Sequence, residues 1–180
     1  MLETERLILR RWKGSDIDPS AAINADPKVM EFLGPLRTRE QTAPGIAKTE
    51  KYIDDHGYGL YAMELKEAGA LLGYVGCVEL SFEAPFTPTI EIGWRIGSQY
   101  WGRGFAPEGA RAVLHDMFTR VGLDEVISLT AAINKQSWRV MQKIGMHTDP
   151  HENFDHPKLA VDNPLRPHVL YRLKKHEWRA

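Results

Sequence analysis

The chain has a single cysteine, Cys77, in 180 residues. That excludes an intrachain disulfide framework and a cysteine-built zinc cluster. It has no apolar run approaching the roughly 18 residues that a membrane span needs, so no membrane is expected as a partner. It has no excess of either charge: Lys+Arg is 23 and Asp+Glu is 24, a net −1. Proteins that coat nucleic acid want a clear basic excess, so no nucleic-acid partner is expected. The start, Met1-Leu2-Glu3-Thr4-Glu5-Arg6, is acidic at once and unlike a secretory signal, which leads to an expectation of a cytoplasmic protein. No internal repeat or low-complexity tract is present. His147, His151, His156 and His168 cluster late, but none pairs at i, i+4 on a helix with a third ligand, so no metal is expected.

What is present is 43% apolar residues, enough for a single sizeable core, read as one domain over 1–180. Thr4–Trp12 alternates as a strand, and a short helix runs through Ala21, Ala22 and Ile23. Thr38-Arg39-Glu40-Gln41 has capping-box spacing for a helix reaching His56-Gly57, although Pro44 leaves its start open. Leu60–Lys66 and Leu71–Leu80 form a hairpin across Glu67-Ala68-Gly69. Thr89–Ile96 is the cleanest strand, with Ile90, Ile92, Trp94 and Ile96 on one face and Glu91, Gly93 and Arg95 on the other. A helix from about Pro107 to Arg120 has the i, i+3, i+4, i+7 apolar pattern. A strand at Glu125–Ala131, a helix at Lys135–Ile144 and a last strand at His168–Lys174 complete a mixed α/β domain. Its sheet is expected to be antiparallel first and helix-linked later.

Chemistry concentrates in Trp94–Met146. A strand runs into Tyr100-Trp101-Gly102-Arg103-Gly104-Phe105-Ala106-Pro107-Glu108, and a helix opens on it. Small residues let backbone N–H groups approach a ligand, and a helix N-terminus favours an anion such as phosphate. The same glycines could merely make a tight turn. A dinucleotide fold, with Asp124 as the ribose acid, fits poorly because the Gly102, Gly104, Gly109 spacing is wrong. The next unit repeats the theme: Asn134-Lys135-Gln136-Ser137 opens a helix straight after a strand. Asn134 can cap that helix and offer an amide to an extended ligand, and Ser137 falls on the face of Val140, Met141 and Ile144.

With Glu91-Ile92-Gly93-Trp94 in front of these two segments, and Lys143-Ile144-Gly145-Met146 behind them, the chain resembles the GNAT N-acetyltransferases, within them the RimJ/RimL-type branch. The resemblance runs from Thr4-Glu5-Arg6-Leu7 to the last strand. It implies a central, mostly antiparallel sheet of six or seven strands flanked by helices and splayed between its fourth and fifth strands, here Thr89–Ile96 and Glu125–Ala131. Acetyl-CoA would lie in the splay. Backbone groups of Trp94, Arg95 and Ile96 would meet the pantetheine arm, and amides over Trp101, Gly102, Arg103, Gly104, Phe105 and Ala106 the pyrophosphate. Asn134 would bind the arm from the other strand, with Ser137 near the sulfur. Arg103, Lys135 and Arg139 would be partners for the nucleotide phosphates. Trp101 replaces the Gln or Arg that opens this loop elsewhere in the superfamily, and Met141 stands where many members place a tyrosine acid. That moves the proton donor for the leaving thiolate to Ser137.

A lysine-like amine has a pKa near ~10.4 and must lose a proton before it attacks a thioester. Glu91 is the first candidate base and Glu79 the second; a backbone N–H near Ile96 is the candidate oxyanion donor. Cys77, in a strand interior with no base, reads as a small buried hydrophobe. The expected reaction is acetyl transfer to a primary amine, on a protein N-terminus or a small molecule. The alternative is a CoA-binding module without catalysis, and a homodimer is compatible with either. Residues 95–143 carry a local +3 that leaves −4 for the remainder, so the near-zero total hides a basic segment able to hold one polyanion.

Overall fold

Alternation along the strands builds the sheet, and two leucines anchor its first half. Leu7 and Leu9 are fully buried in β2 (Leu7–Arg10), which is flanked by the short β1 (Leu2–Glu3). The computed structural model describes residues 1–179. After β2 come α1 (Ile17–Asn24), the single turn α2 (Pro27–Met30) and α3 (Arg39–His56). Thr38 caps α3 as the spacing predicts: its hydroxyl accepts from the Gln41 N–H, and Gln41 accepts in return from the Thr38 N–H. Pro44 therefore sits inside the helix and does not set its start. The hairpin of β3 (Leu60–Leu65) and β4 (Ala70–Glu79) follows, then β5 (Ile90–Ile96) and α4 (Phe105–Asp116), which runs on through a π-turn at Met117–Val121. The chain closes with β6 (Glu125–Ala131), α5 (Lys135–Lys143), β7 (Phe154–Asp155) and β8 (Pro167–Lys174).

The eight strands lie in the order β1-β2-β3-β4-β5-β6-β8-β7. The two beyond the six strands that alternation marks are β1 and β7, two residues each, too short for alternation to register. Every neighbouring pair is antiparallel except β5 and β6, which are parallel and share one pairing, Glu91 with Ile127. Beyond that point the strands part. The predicted splay is present, and it separates a β1–β5 arm from a β6–β8–β7 arm.

The core sits under α4. Ala110, Val113, Leu114, Met117 and Phe118 pack on Leu7, Met63, Val75, Cys77 and Ile92. Each large side chain so buried contributes about 1.5–3 kcal/mol relative to exposure. Gly109 allows the close approach, since a Cβ there would come within 2.8 Å of the Met63 methyl carbon. The β5 face carrying Ile92 and Ile96 thus faces α4, and the face carrying Glu91, Gly93 and Arg95 faces away from it.

The late loop has a structural job. Phe154 and His156 pack against Phe82 of the β4–β5 connection, Phe154 also against Phe86, and His168 against Phe154 and His156, while Lys158 Nζ donates to the Ser81 carbonyl at 2.8 Å. Burial holds both histidines below their ordinary pKa. These contacts fasten the β8 edge to the loop before β5.

Candidate active site

The hydrogen-bond phase of β5 decides what the splay offers. At its two ends the Leu80 N–H donates to Thr89 and the Gly97 N–H to Leu72. In an antiparallel ladder such bonded positions recur every second residue. Residues 91, 93 and 95 therefore turn their backbone toward β4, and Ile90, Ile92, Trp94 and Ile96 turn theirs toward β6. The same argument on β6, from the Ala132 N–H to Pro167 and the Lys175 N–H to Asp124, turns Leu129 and Ala131 toward β5.

Side chains take up two of the carbonyls left over where the strands part. The Ser128 hydroxyl donates to the Ile92 carbonyl at 2.9 Å, in the place where the ladder would otherwise continue. The Trp101 indole N–H donates to the Ile96 carbonyl at 2.8 Å. The Trp94 N–H and carbonyl, the Ile96 N–H and the Leu129 groups remain on the two walls. This corrects two expectations. Arg95 gives no backbone group to the cleft, because its amide and carbonyl are committed to β4; its side chain enters instead. Trp101 ties the loop to the end of β5 through its indole, and its own N–H is spent on Ser98.

The loop into α4 leaves a row of backbone donors without partners among the described residues. Gly102 and Gly104 have φ of 75° and 82°, values that side chains resist. The first helical bond runs from the Glu108 N–H to Gly104, so the N–H groups of Gly102, Arg103, Gly104, Phe105 and Ala106 donate to nothing among the described residues. Sequence reasoning placed these donors correctly but missed what fixes them. Glu108 accepts from the Thr4 hydroxyl, the Arg6 N–H and the Arg6 guanidinium at 2.5, 3.0 and 2.7 Å. Arg6 also donates to the Arg103 carbonyl and lies over the Phe105 ring. Burial pushes the Glu108 carboxyl up, and these hydrogen bonds more than offset it, leaving its pKa below the ordinary value. The signal was the Thr4-Glu5-Arg6 start itself, 102 residues away from its partner.

A cleft of about 560 Å³ passes through the splay. Its α4 side is lined by Tyr100, Gly102, Gly104 and Phe105, and its α5 side by Asn134, Ser137, Arg139 and Lys143. On the other face of the sheet it reaches Val29, Phe32 and Leu33, just after α1, which the sequence did not single out. Asn134 is buried and doubly engaged: its Oδ1 caps the Ser137 N–H at 3.2 Å and its Nδ2 donates to Thr130 at 3.0 Å, leaving one N–H of the amide over. The Ser137 hydroxyl lines the cleft and has no hydrogen bond among the described residues. Met141 is sealed in the core and lines nothing. Arg103 is exposed beside the Phe105 ring, and Lys135 lies on the Trp138 ring.

The two carboxylate candidates separate cleanly. Glu91 lines the cleft beside the only point where β5 and β6 meet, half-buried and without hydrogen bond or ion pair among the described residues. Burial raises its pKa to about 7. Glu79 pairs with Ile90, so it stands on the opposite face of the sheet, exposed and outside the cleft. One residue of register reverses the face a strand side chain takes, and Glu79 is withdrawn as a base.

Comparison with known proteins agrees with this architecture. A family model described as an acetyltransferase (GNAT) domain matches residues 6–147. Protein YkkB of Bacillus subtilis (strain 168) is 34% identical over 147 residues, covering 81% of this chain and 84% of that one. The crystal structure of a GNAT-family acetyltransferase from Bacillus anthracis superimposes with a TM-score of 0.80 at 24% identity, over 98% of this chain and 99% of that one. The ribosomal-protein-S5-alanine acetyltransferase from Vibrio fischeri has a TM-score of 0.75 at 18% identity, over 99% and 98%.

Proposed function

Because the chain belongs to the GNAT acetyltransferases, we propose that it moves the acetyl group of acetyl-CoA directly to a primary amine, with Glu91 as general base. The observation that carries this reading is one free carboxyl, with a pKa near 7, at the point where the two arms of the sheet part. A base is most useful when its pKa lies near the working pH. The RimJ/RimL-type branch is the further assignment we propose. It rests on the Tyr100–Glu108 segment and on Asn134 with Ser137, and a fold shared with the ribosomal-protein acetyltransferase is compatible with it.

The residues divide the work by position. The amides from Gly102 to Ala106 and the first turn of α4 receive the pyrophosphate, with Arg103 and Arg139 as the flanking cations. Trp94 and Leu129, on opposite walls, hold the amide groups of the pantetheine arm in strand-like fashion, and the remaining Asn134 N–H adds one donor. Glu91 takes a proton from the incoming ammonium, so the amine lone pair is free to attack. As the new C–N bond forms and the C–S bond breaks, the Ile96 N–H donates to the carbonyl oxygen. Ser137 gives a hydrogen bond to the departing thiolate, or passes it a proton and takes in turn the one the nitrogen sheds as it becomes an amide. A thiolate leaves readily, so alignment in the cleft supplies a large share of the rate.

The test is thiol release from acetyl-CoA across a panel of amines, with acetyl-CoA affinity measured by calorimetry. Amine-dependent thiol release is expected, abolished or strongly reduced in Glu91→Gln at unchanged CoA affinity. Tight CoA binding without thiol release for any amine would overturn the reading.

A further inference from the structure

The cleft lining holds four cations, Lys28, Arg95, Arg139 and Lys143, against one carboxylate, Glu91. None of the four has an ion-pair partner among the described residues, whereas Arg6, Arg10, Arg11, Arg120 and Arg172 are each paired. Arg139 and Lys143 sit on α5, on the side where the proposed function puts the nucleotide phosphates. Arg95 does not belong with them: it leaves the sheet on the Glu91 face, away from α4 and its anion-binding loop.

Arg95 is also held in place. Its Nη1 donates to Asn24 Oδ1 at 2.6 Å, and Asn24 is itself pinned by its bond to Thr42 at 3.1 Å. Its guanidinium lies over the Tyr74 ring. Yet its Nε is buried with no acceptor, and its Nη2 makes no hydrogen bond. Buried donors are normally satisfied, and two adjacent guanidinium donors are the fork that grips an oxyanion. Between Glu91 and Arg95 the floor is open, since a Cβ on Gly93 would meet nothing within 4 Å.

We propose that Arg95 is the specificity residue of the acceptor half of the cleft, and that the amine acceptor carries an oxyanionic group, a carboxylate or a phosphate, for its guanidinium. This rests on the acetyl-transfer reading above. Positions four apart on a strand are about 13 Å apart at Cα, so the anion lies several bonds from the nitrogen that Glu91 deprotonates. An α-amino acid is too short to reach both. A polyamine would bring a second positive charge against Arg95, in a cleft whose one lining carboxylate among the described residues is Glu91.

The experiment uses a series of ω-amino carboxylates of increasing length, each matched with its own amide, and an aminoalkyl phosphate of the best length. For the intact protein, kcat/KM of the best carboxylate or phosphate is expected to exceed that of the matched amide by tenfold or more. In Arg95→Gln the ratio should fall to within about twofold of one, and in Arg95→Lys, which keeps the charge but loses the fork, it should fall part of the way. Calorimetry with acetyl-CoA confirms that each variant folds. Binding of the same matched pairs to the CoA-saturated protein gives a readout that needs no turnover. A ratio near one in the intact protein, or a ratio that survives Arg95→Gln, overturns the inference and leaves acetyl transfer standing. Arg95-dependent binding of the anionic amines with no thiol release from any amine supports the inference and removes the acetyl-transfer reading. Whichever of carboxylate and phosphate has the higher ratio identifies the group.

Discussion

Glu91 links catalysis and stability through one titration. Its pKa is raised from 4.5 to about 7 in the folded chain by burial, so the fold prefers the protonated carboxyl. Between those two values the folded state holds the proton more firmly than the unfolded state, and stability falls as pH rises through the window. Below it the group is neutral to stability. Above it the buried charge costs about 3 kcal/mol, at about 1.4 kcal/mol per pKa unit. Glu91→Gln should therefore raise the unfolding free energy at pH 8 by up to about 3 kcal/mol and leave it unchanged at pH 4; denaturant melts at the two pH values check this. In the intact enzyme kcat/KM should climb with pH and level off above about 7, with turnover in Glu91→Gln down by about 10²–10⁴. Ser137→Ala should cost less than about tenfold in kcat, because the thiolate needs little help; a larger loss would make the serine an obligatory acid. Glu91 was legible in the sequence because alternation alone put it opposite the core face of β5. The rejection of Glu79 was not, because its face depends on how β4 registers with β5, and no local pattern records that.

At the scale of elements, the loop before α4 is only as well formed as its clamp. Glu108 on the helix and Thr4 and Arg6 on the N-terminal segment hold the free amides in place. Glu108→Ala should raise the KM for acetyl-CoA about five- to tenfold with kcat little changed, and lower Tm, since hydrogen bonds to charged groups contribute about 1.5–3 kcal/mol each. Initial-rate kinetics at saturating amine separates this from a loss of chemistry. The glycine loop and the Asn134 cap were readable because their signals are local: two positive-φ glycines ahead of a helix, and an N-cap three residues before Ser137. Ser128, Leu129 and the Val29–Leu33 lining were not, because backbone phase across two strands and the docking of a single helical turn leave no local mark.

For the whole molecule, the two arms of the sheet share a core and the late loop's lock, but along the splay they meet at one backbone pairing and one serine hydrogen bond among the described residues. A ligand that binds both walls strengthens that junction. At a hundredfold excess over Kd, acetyl-CoA should add about 2.7 kcal/mol, which for a domain of this size is a rise in Tm of about 5–10 °C. Amide exchange should slow most at Trp94, Ile96, Leu129 and Ala131, whose backbone faces the opening. Uniform slowing over the whole sheet would mean instead that the arms already move as one body. Mixed α/β class, helix order and the placement of the splay followed from the sequence and its resemblance, whereas the extra edge strands and the aromatic lock of the late loop depend on contacts between distant segments.

The parting of β5 and β6 has a further consequence for how the protein keeps in solution. Unpaired strand backbone normally lies at the rim of a sheet, where charged side chains, short strands and bends keep other chains from adding to it. Here a stretch of such backbone is turned inward, along Trp94, Ile96 and Leu129, where those guards would fill the cleft. Trp101 and Ser128 each silence one carbonyl. Occupation of the cleft by acetyl-CoA is expected to cover the rest and so to guard against aggregation. Warmed without acetyl-CoA, the protein should scatter light sooner than its Tm alone accounts for, and a non-transferable CoA analogue should suppress that as well as acetyl-CoA does.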